Sequence, residues 1–100
     1  MVAPAAGRVV LVRPAIVLAD AGRGDWILCQ VTSNPYGDAH AVRLTDRSFA
    51  SGSLRTESYA RPGKLFTASR DLMVAEVAAL TASALQQIVD AVVGIVRGRS

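Results

Sequence analysis

The chain of 100 residues contains one cysteine, one histidine and only 5% aromatic residues. A single cysteine cannot form an internal disulfide, which excludes a fold held together by such bonds. One cysteine and one histidine also leave no metal-binding constellation, so neither a metal ion nor another cofactor is expected. No run of about 18 apolar residues occurs, which argues against a transmembrane helix. Met1 to Ala6 lack the basic start and long apolar segment of a secretory signal, and a cytoplasmic location is expected.

Apolar residues make up 51% of the chain and the net charge is +3. This composition suits one domain with one core over residues 1–100, of which residues 1–6 are expected to be disordered. The positive charge is concentrated in the middle third, where a basic face would favour a polyanion through counterion release. Scattered, solvated side chains would give the same composition. The basic residues of this segment are Arg43, Arg47, Arg55, Arg61, Lys64 and Arg70.

Short apolar runs separated by turn signals predict a mainly β structure. The predicted strands are Val9 to Val12, Pro14 to Ala19, Trp26 to Thr32, His40 to Leu44, Ser58 to Arg61, Leu65 to Thr67, and Met73 to Leu80. A hairpin loop is expected over residues 20–25, a turn at Pro62-Gly63, and a loop over residues 45–52.

The last segment has the pattern of an amphipathic helix that Thr81 can cap. Its apolar residues recur at spacings of three and four, at Leu85, Ile88, Val89, Val92, Ile95 and Val96. The stripe is expected to cover one side of a β-barrel, and a partner-binding helix is the alternative. Together these elements predict an α+β fold, a small SH3-like β-barrel with a C-terminal helix.

Two apolar segments have polar residues at one end, Arg13 before the first and Thr32 and Ser33 after the second. A symmetric hairpin would place Ala19 opposite Trp26 and therefore Arg13 opposite Thr32. Directly opposed residues have Cβ atoms about 4.5–5.5 Å apart. A guanidinium beside a hydroxyl at that distance can bind a phosphate and stabilise charge developing on it.

Three segments in this order and spacing resemble the MazF/PemK family of toxins. They are Arg13-Pro14-Ala15-Ile16-Val17-Leu18, Cys29-Gln30-Val31-Thr32-Ser33 and the stretch from Ser58 to Thr67. The resemblance implies a small SH3-like barrel with a terminal helix and the toxin of a type II toxin–antitoxin system. It further implies a homodimer, a cognate antitoxin as partner, and metal-independent endoribonuclease activity on single-stranded RNA.

The resemblance also assigns roles to individual residues. Arg13 matches the family arginine that binds the scissile phosphate and assists its chemistry. Thr32 matches the threonine that holds the phosphate or positions the attacking ribose hydroxyl, and Ser33 is its hydroxyl neighbour. Arg61 and Lys64 lie in the third motif and are expected to bind RNA. The reaction implied is attack by the 2′-hydroxyl of the RNA on the adjacent phosphorus.

Two departures from the family pattern matter. The segment Gly7 to Val12 continues directly into Arg13-Pro14, without the loop of about ten residues that usually follows the first family strand, so the first two strands are expected to be fused or the first one lost. Tyr59 and Arg61 stand where some members carry an acidic residue, so no carboxylate base can be named. The alternative function is therefore that of a non-catalytic or degraded family member that acts by binding a protein, either an antitoxin or gyrase.

Overall fold

The computed structural model describes residues 2–11 and 13–98. Seven strands form a single antiparallel, curled half-barrel sheet, which one C-terminal helix follows. The strands are β1 (Arg8–Leu11), β2 (Pro14–Gly22), β3 (Asp25–Thr32), β4 (Val42–Leu44), β5 (Phe49–Gly52), β6 (Ser58–Ser69) and β7 (Ala75–Leu80), and the helix is α1 (Ala82–Val96). Their order across the sheet is β4-β6-β3-β2-β1-β7-β5. The predicted α+β fold, a small barrel with a terminal helix, is confirmed.

Apolar side chains cover both faces of the central strands. Neighbouring residues of a strand point to opposite faces, and both Ile16 and Val17 are fully buried. Ile16 packs in a cluster with Ile88 of α1, whereas Val17 packs in a second cluster with Met73. A strand buried on both sides needs continuous apolar residues, which explains the lack of polar alternation in β2. Val2 packs against the second cluster, and the disorder expected for residues 1–6 stays a prediction.

The predicted fusion or loss of the first strand is wrong. β1 and β2 are two separate strands that pair antiparallel, and their ladder runs down to Leu11 opposite Pro14. Val12, which the sequence analysis placed in the first strand, lies outside the described residues. Pro14 is the first residue of β2, where the missing amide hydrogen of a proline is tolerated. The long loop is absent, but the strand before it is present.

The hairpin between β2 and β3 is longer and tighter than expected. Both strands continue to Gly22 and Asp25, so the reversal needs only Arg23 and Gly24, which have φ values of 58° and 81°. The expected pairing of Ala19 with Trp26 is wrong, because a register shift between Asp20 and Gly22 pairs Ala19 with Ile27 instead. A second shift, between Val17 and Ala19, restores the expected register from Val17 onward. A bulge inserts one residue into a strand and moves the register beyond it.

Three other elements differ from the sequence expectations. β6 is one strand of 12 residues; the expected turn at Pro62-Gly63 is instead a bulge, across which the β3 partners change from Arg61 to Leu65. The segment expected to be a loop contains a 3₁₀ turn, Asp46–Ser48, and the edge strand β5. A second 3₁₀ turn, Arg70–Leu72, joins β6 to β7.

The helix begins as predicted. Thr81 is its N-cap, and its Oγ1 accepts a hydrogen bond of 3.1 Å from the amide of Ala84. Ile88 is fully buried, whereas Val96, which the sequence placed on the same stripe, is 77% exposed. Within the described chain, no helix is long and apolar enough to cross a membrane.

Candidate RNA-binding site

Thr32 is the last residue of β3 and faces the same side of the sheet as Gln30, because residues two apart share a face of a strand. Cys29 and Val31 alternate with them and are buried in the core. The Thr32 hydroxyl donates to the carbonyl oxygen of Asn34 at 3.0 Å and accepts from the Asn34 amide at 3.1 Å. These bonds hold the hydroxyl at the point where the chain leaves the sheet.

Thr32 and Ser33 line one side of an open groove, which we call the threonine groove. Since β3 ends at Thr32, Ser33 no longer follows the strand alternation and can share this surface. The opposite side of the groove comes from the loop between β5 and β6, with Arg55 and Thr56. Sequence reasoning counted Arg55 only among the basic residues of the middle third, because its position beside Thr32 depends on the return of β6 against β3.

Arg13 lies between β1 and β2 and is exposed. It lines a second open groove, the arginine groove, together with Gln30, Lys64 and Thr67. The bulge in β6 carries Lys64 into this surface: between its pairings with Gln30 and Cys29, β6 has three residues without a partner in β3. The structure thus brings Arg13 and Lys64 together.

The β2–β3 ladder keeps the predicted register from the pair of Val17 and Leu28 to the pair of Ala15 and Gln30, and that register continued by two residues would set Arg13 opposite Thr32. The β2–β3 ladder has its last described pair at Ala15 and Gln30, so Arg13 and Thr32 lie beyond its end. Arg13 lines the arginine groove and Thr32 the threonine groove. Gln30 and Thr32 are two residues apart on one strand face, a step of about 7 Å. Both grooves lie at the Thr32 end of β3, but they share no lining residue, and the threonine groove includes Val31, which faces the opposite side of the sheet from Gln30.

Gln30 is a polar residue of the site that sequence reasoning did not assign. Its Oε1 is buried, and no donor within the described chain reaches it. A buried acceptor without a partner is costly, and this one belongs to a residue that lines the arginine groove. Alternation places Gln30 on the same strand face as Thr32, so the sequence did contain the signal.

Three cations of these grooves are free to meet an anion. Among residues 2–11 and 13–98, no carboxylate oxygen lies within 4.0 Å of the charged group of Arg13, Arg55 or Lys64. Arg43, by contrast, pairs with Glu57. A hydrogen bond from the Tyr59 hydroxyl, and then the Arg43 guanidinium, hold the pKa of Glu57 below its ordinary value.

Arg61, which was expected to bind RNA, is engaged within the protein. Its Nε donates to Asp38 Oδ2 at 2.9 Å, and the two side chains are only 18% and 12% exposed. The Arg61 hydrogen bond, followed by one from the His40 amide, holds the pKa of Asp38 below its ordinary value. The pair fastens the β3–β4 loop to β6, so Arg61 positions the loop that begins at Thr32.

Over the positions that the structure describes, no three His, Cys, Asp or Glu side chains are placed to hold a metal ion. Burial raises the pKa of the Cys29 thiol to about 11. The grooves therefore offer guanidinium, ammonium, hydroxyl and amide groups, which bind phosphate and stabilise negative charge.

No protein-family model and no curated protein matches the chain by sequence. Solved structures do match its fold. A MazE–MazF crystal structure from Deinococcus radiodurans, crystal form III, is 25% identical with a TM-score of 0.73, over 99% of this chain and 100% of that one. A mycobacterial endoribonuclease in complex with its cognate antitoxin is 17% identical with a TM-score of 0.70, over 100% and 98% of the two chains.

A third structure, the Mycobacterium tuberculosis toxin MazF-mt6, is 16% identical with a TM-score of 0.70, over 93% of this chain and 96% of that one. The likeness thus extends over nearly the full length of each pair. It includes the curled sheet and the terminal helix, the two elements that place the grooves. This chain has the fold of the MazF toxins.

Proposed function

We propose that the chain is the toxin of a type II toxin–antitoxin system and an endoribonuclease that cleaves single-stranded RNA without a metal ion. The observation that carries the proposal is the pair of grooves at the Thr32 end of β3. One presents Arg55 beside Thr32 and the other presents Arg13 and Lys64, and none of these three cations has a carboxylate partner among the described residues. The fold shared with MazF toxins supports the same conclusion.

The chemistry needs little from the protein beyond position and charge. The 2′-hydroxyl of the RNA gives up its proton to water and attacks the adjacent phosphorus, the bond to the 5′-oxygen breaks as that oxygen takes a proton from water, and a 2′,3′-cyclic phosphate and a 5′-hydroxyl remain. Arg13 would stabilise the charge that develops on the phosphoryl oxygens, and Thr32 and Ser33 would hold the phosphate or the attacking ribose. Lys64 and Arg55 would bind the flanking phosphates. Because the nucleophile is the 2′-hydroxyl, DNA would not be cut.

The decisive experiment is cleavage of single-stranded RNA in EDTA. Arg13→Ala should lower the rate by about 10²–10³-fold, the usual cost of removing one donor to a developing anion. Arg23→Ala is the matched control, because it removes an exposed arginine from the hairpin at the opposite end of β3 and should cleave at the wild-type rate. Absence of cleavage by the wild type, or equal rates for all three proteins, rejects the endoribonuclease.

Protein binding without cleavage is the second candidate function. It is favoured by the engagement of the Thr32 hydroxyl, which donates its proton to the Asn34 carbonyl and so does not offer it to a phosphate. The D. radiodurans MazF was solved with MazE, and one mycobacterial endoribonuclease was solved with its cognate antitoxin; we propose that this chain also binds an antitoxin. A small protein encoded immediately upstream should copurify with the chain and inhibit its ribonuclease activity. Copurification with no RNA cleavage in any state would favour the second function.

We also propose that the chain is a homodimer. Leu11, Leu72 and Val74 are 37%, 59% and 82% exposed, and the amide of Val74 donates to the carbonyl of Leu11, so apolar surface collects at this point. Light scattering should give twice the chain mass. Val74→Glu should give the monomer mass, whereas Val96→Glu, at a similarly exposed valine, should leave the dimer intact. A wild-type monomer contradicts the proposal.

A further inference from the structure

Tyr36 holds an exposed aromatic ring on a strained backbone. Its φ is 53°, a left-handed conformation that bulky residues rarely adopt. Burial of the ring does not offset the free-energy cost of this backbone conformation, because the Tyr36 side chain is 73% exposed. Within the described chain it is also the aromatic residue that solvent reaches most; Trp26, Phe49, Tyr59 and Phe66 are half-buried. A residue kept in an unfavourable conformation at the surface indicates a ligand for its side chain.

The loop around Tyr36 is built from the Thr32 hydroxyl outward. That hydroxyl is bonded to the backbone of Asn34, and the Asn34 side chain in turn accepts from the Tyr36 amide at 2.9 Å. The Asp38 amide donates to the Pro35 carbonyl at 2.9 Å and closes the turn below the ring. The Asp38 side chain is fastened to β6. The same contacts therefore fix both Thr32 and Tyr36, and little conformational freedom of the loop backbone is left to lose on binding.

The chemistry of this surface favours a nucleobase as the ligand of the ring. Unpaired bases of single-stranded RNA stack on exposed aromatic side chains, while cations in an adjacent groove bind the phosphates. Here the threonine groove, with Arg55, begins at the root of the Tyr36 loop. We infer that Tyr36 is a base-stacking residue that receives a nucleotide flanking the scissile phosphate. The inference rests on the proposed ribonuclease function and adds to it a determinant of how the RNA strand is held.

Tyr36→Gly and Tyr36→Trp separate stacking from loop structure. Glycine adopts the left-handed backbone without strain, so Tyr36→Gly should melt at or above the wild-type temperature. It should nevertheless bind a mixed-sequence 2′-O-methyl oligonucleotide, which lacks the attacking hydroxyl, about tenfold more weakly. Tyr36→Trp keeps a stacking surface and should bind within about threefold of the wild type. Fluorescence anisotropy of the labelled oligonucleotide gives the affinities.

Abasic substitution locates the base. Removing one base in turn along the oligonucleotide should weaken wild-type binding at one position, and the same substitution should cost nothing in Tyr36→Gly. Equal affinities for the wild type and Tyr36→Gly, or equal abasic costs in both, overturn the stacking role and leave the loop tip to a protein partner. If wild-type RNA cleavage is intact, only this inference fails. A wild type that neither binds the oligonucleotide nor cleaves RNA overturns the proposed function together with it.

Discussion

Gly52 ends β5 immediately before the loop that brings Arg55 to the threonine groove. Its φ is 66°, and a Cβ at this position would lie 2.5 Å from the carbonyl oxygen of Val77 and 2.9 Å from Cα of Ala78. Both neighbours are backbone atoms of β7, which cannot rotate away as a flexible side chain can. Gly52→Ala should therefore destabilise the fold through two effects, backbone strain and a steric clash with the paired strand.

Gly24 separates the two effects. Its φ is 81°, and a Cβ there would meet nothing within 4 Å, so Gly24→Ala incurs only the left-handed strain of about 1–2 kcal/mol. At Gly52 the strands must also move apart, and overpacking of this kind adds about 1–3 kcal/mol. Gly52→Ala should then lower the free energy of unfolding by about 2–5 kcal/mol in total.

Urea denaturation of the three proteins measures both changes directly. In a domain of this size each kcal/mol also lowers the melting temperature by about 4–8 °C, so thermal unfolding provides a second reading. Circular dichroism of each folded variant checks that the sheet is retained. Equal free energies of unfolding for Gly52→Ala and Gly24→Ala would refute the argument, because the clash with Val77 and Ala78 is the only difference it invokes.

Three further predictions concern the core and the loop that begins at Thr32. Ile88→Ala should lower the free energy of unfolding by about 2–5 kcal/mol, because this side chain is fully buried. Val96→Ala should lower it by less than about 0.5 kcal/mol, because Val96 is 77% exposed. Similar losses for the two variants in urea denaturation would contradict the packing of α1. The Cys29 thiol, with a pKa raised to about 11 by burial, should resist a thiol reagent at pH 8 until urea unfolds the chain, and rapid labelling of the folded protein would contradict this. The hydrogen bond from Arg61 lowers the folded-state pKa of Asp38 below its ordinary value. The pair therefore stabilises the fold above the unfolded-state pKa of Asp38, and this contribution is lost as pH falls through the folded-state pKa. Asp38→Asn should have a lower free energy of unfolding than the wild type at pH 7 and the same one in acid, whereas a difference that does not change with pH would refute the linkage.

Local sequence was sufficient for the elements whose pattern is short-range. The spacing of apolar residues after Thr81 predicted α1 and its cap, and the apolar run from Trp26 to Thr32 predicted β3. Local sequence was insufficient wherever one inserted residue or one tight turn decides which residues of two neighbouring strands pair. The turn expected at Pro62-Gly63 is a bulge, because β3 continues to pair with β6 on both sides of it. The reversal before Pro14 was missed because two residues are enough to close an antiparallel hairpin.

The residues of the candidate site also fall into those that local sequence predicted and those that it did not. Arg13, Thr32, Ser33 and Lys64 were chosen from sequence, and all four line the two grooves. Arg55 and Gln30 were not chosen, and Arg61 was assigned to RNA although the fold pairs it with Asp38. Whether an arginine is free or paired depends on which carboxylate lies beside it, and that carboxylate is 23 positions away along the chain.

By itself, the sequence determined a series of short strands with a capped terminal helix, because apolar periodicity and turn residues act over a few positions. Only the tertiary structure decided that Arg13 and Thr32 line two different grooves, since the bulge in β6 and the loop before β6 supply the other residues of each. It also decided which cations stay free and how the Tyr36 ring is presented. These properties depend on strand register and on contacts between distant residues, which no local pattern encodes.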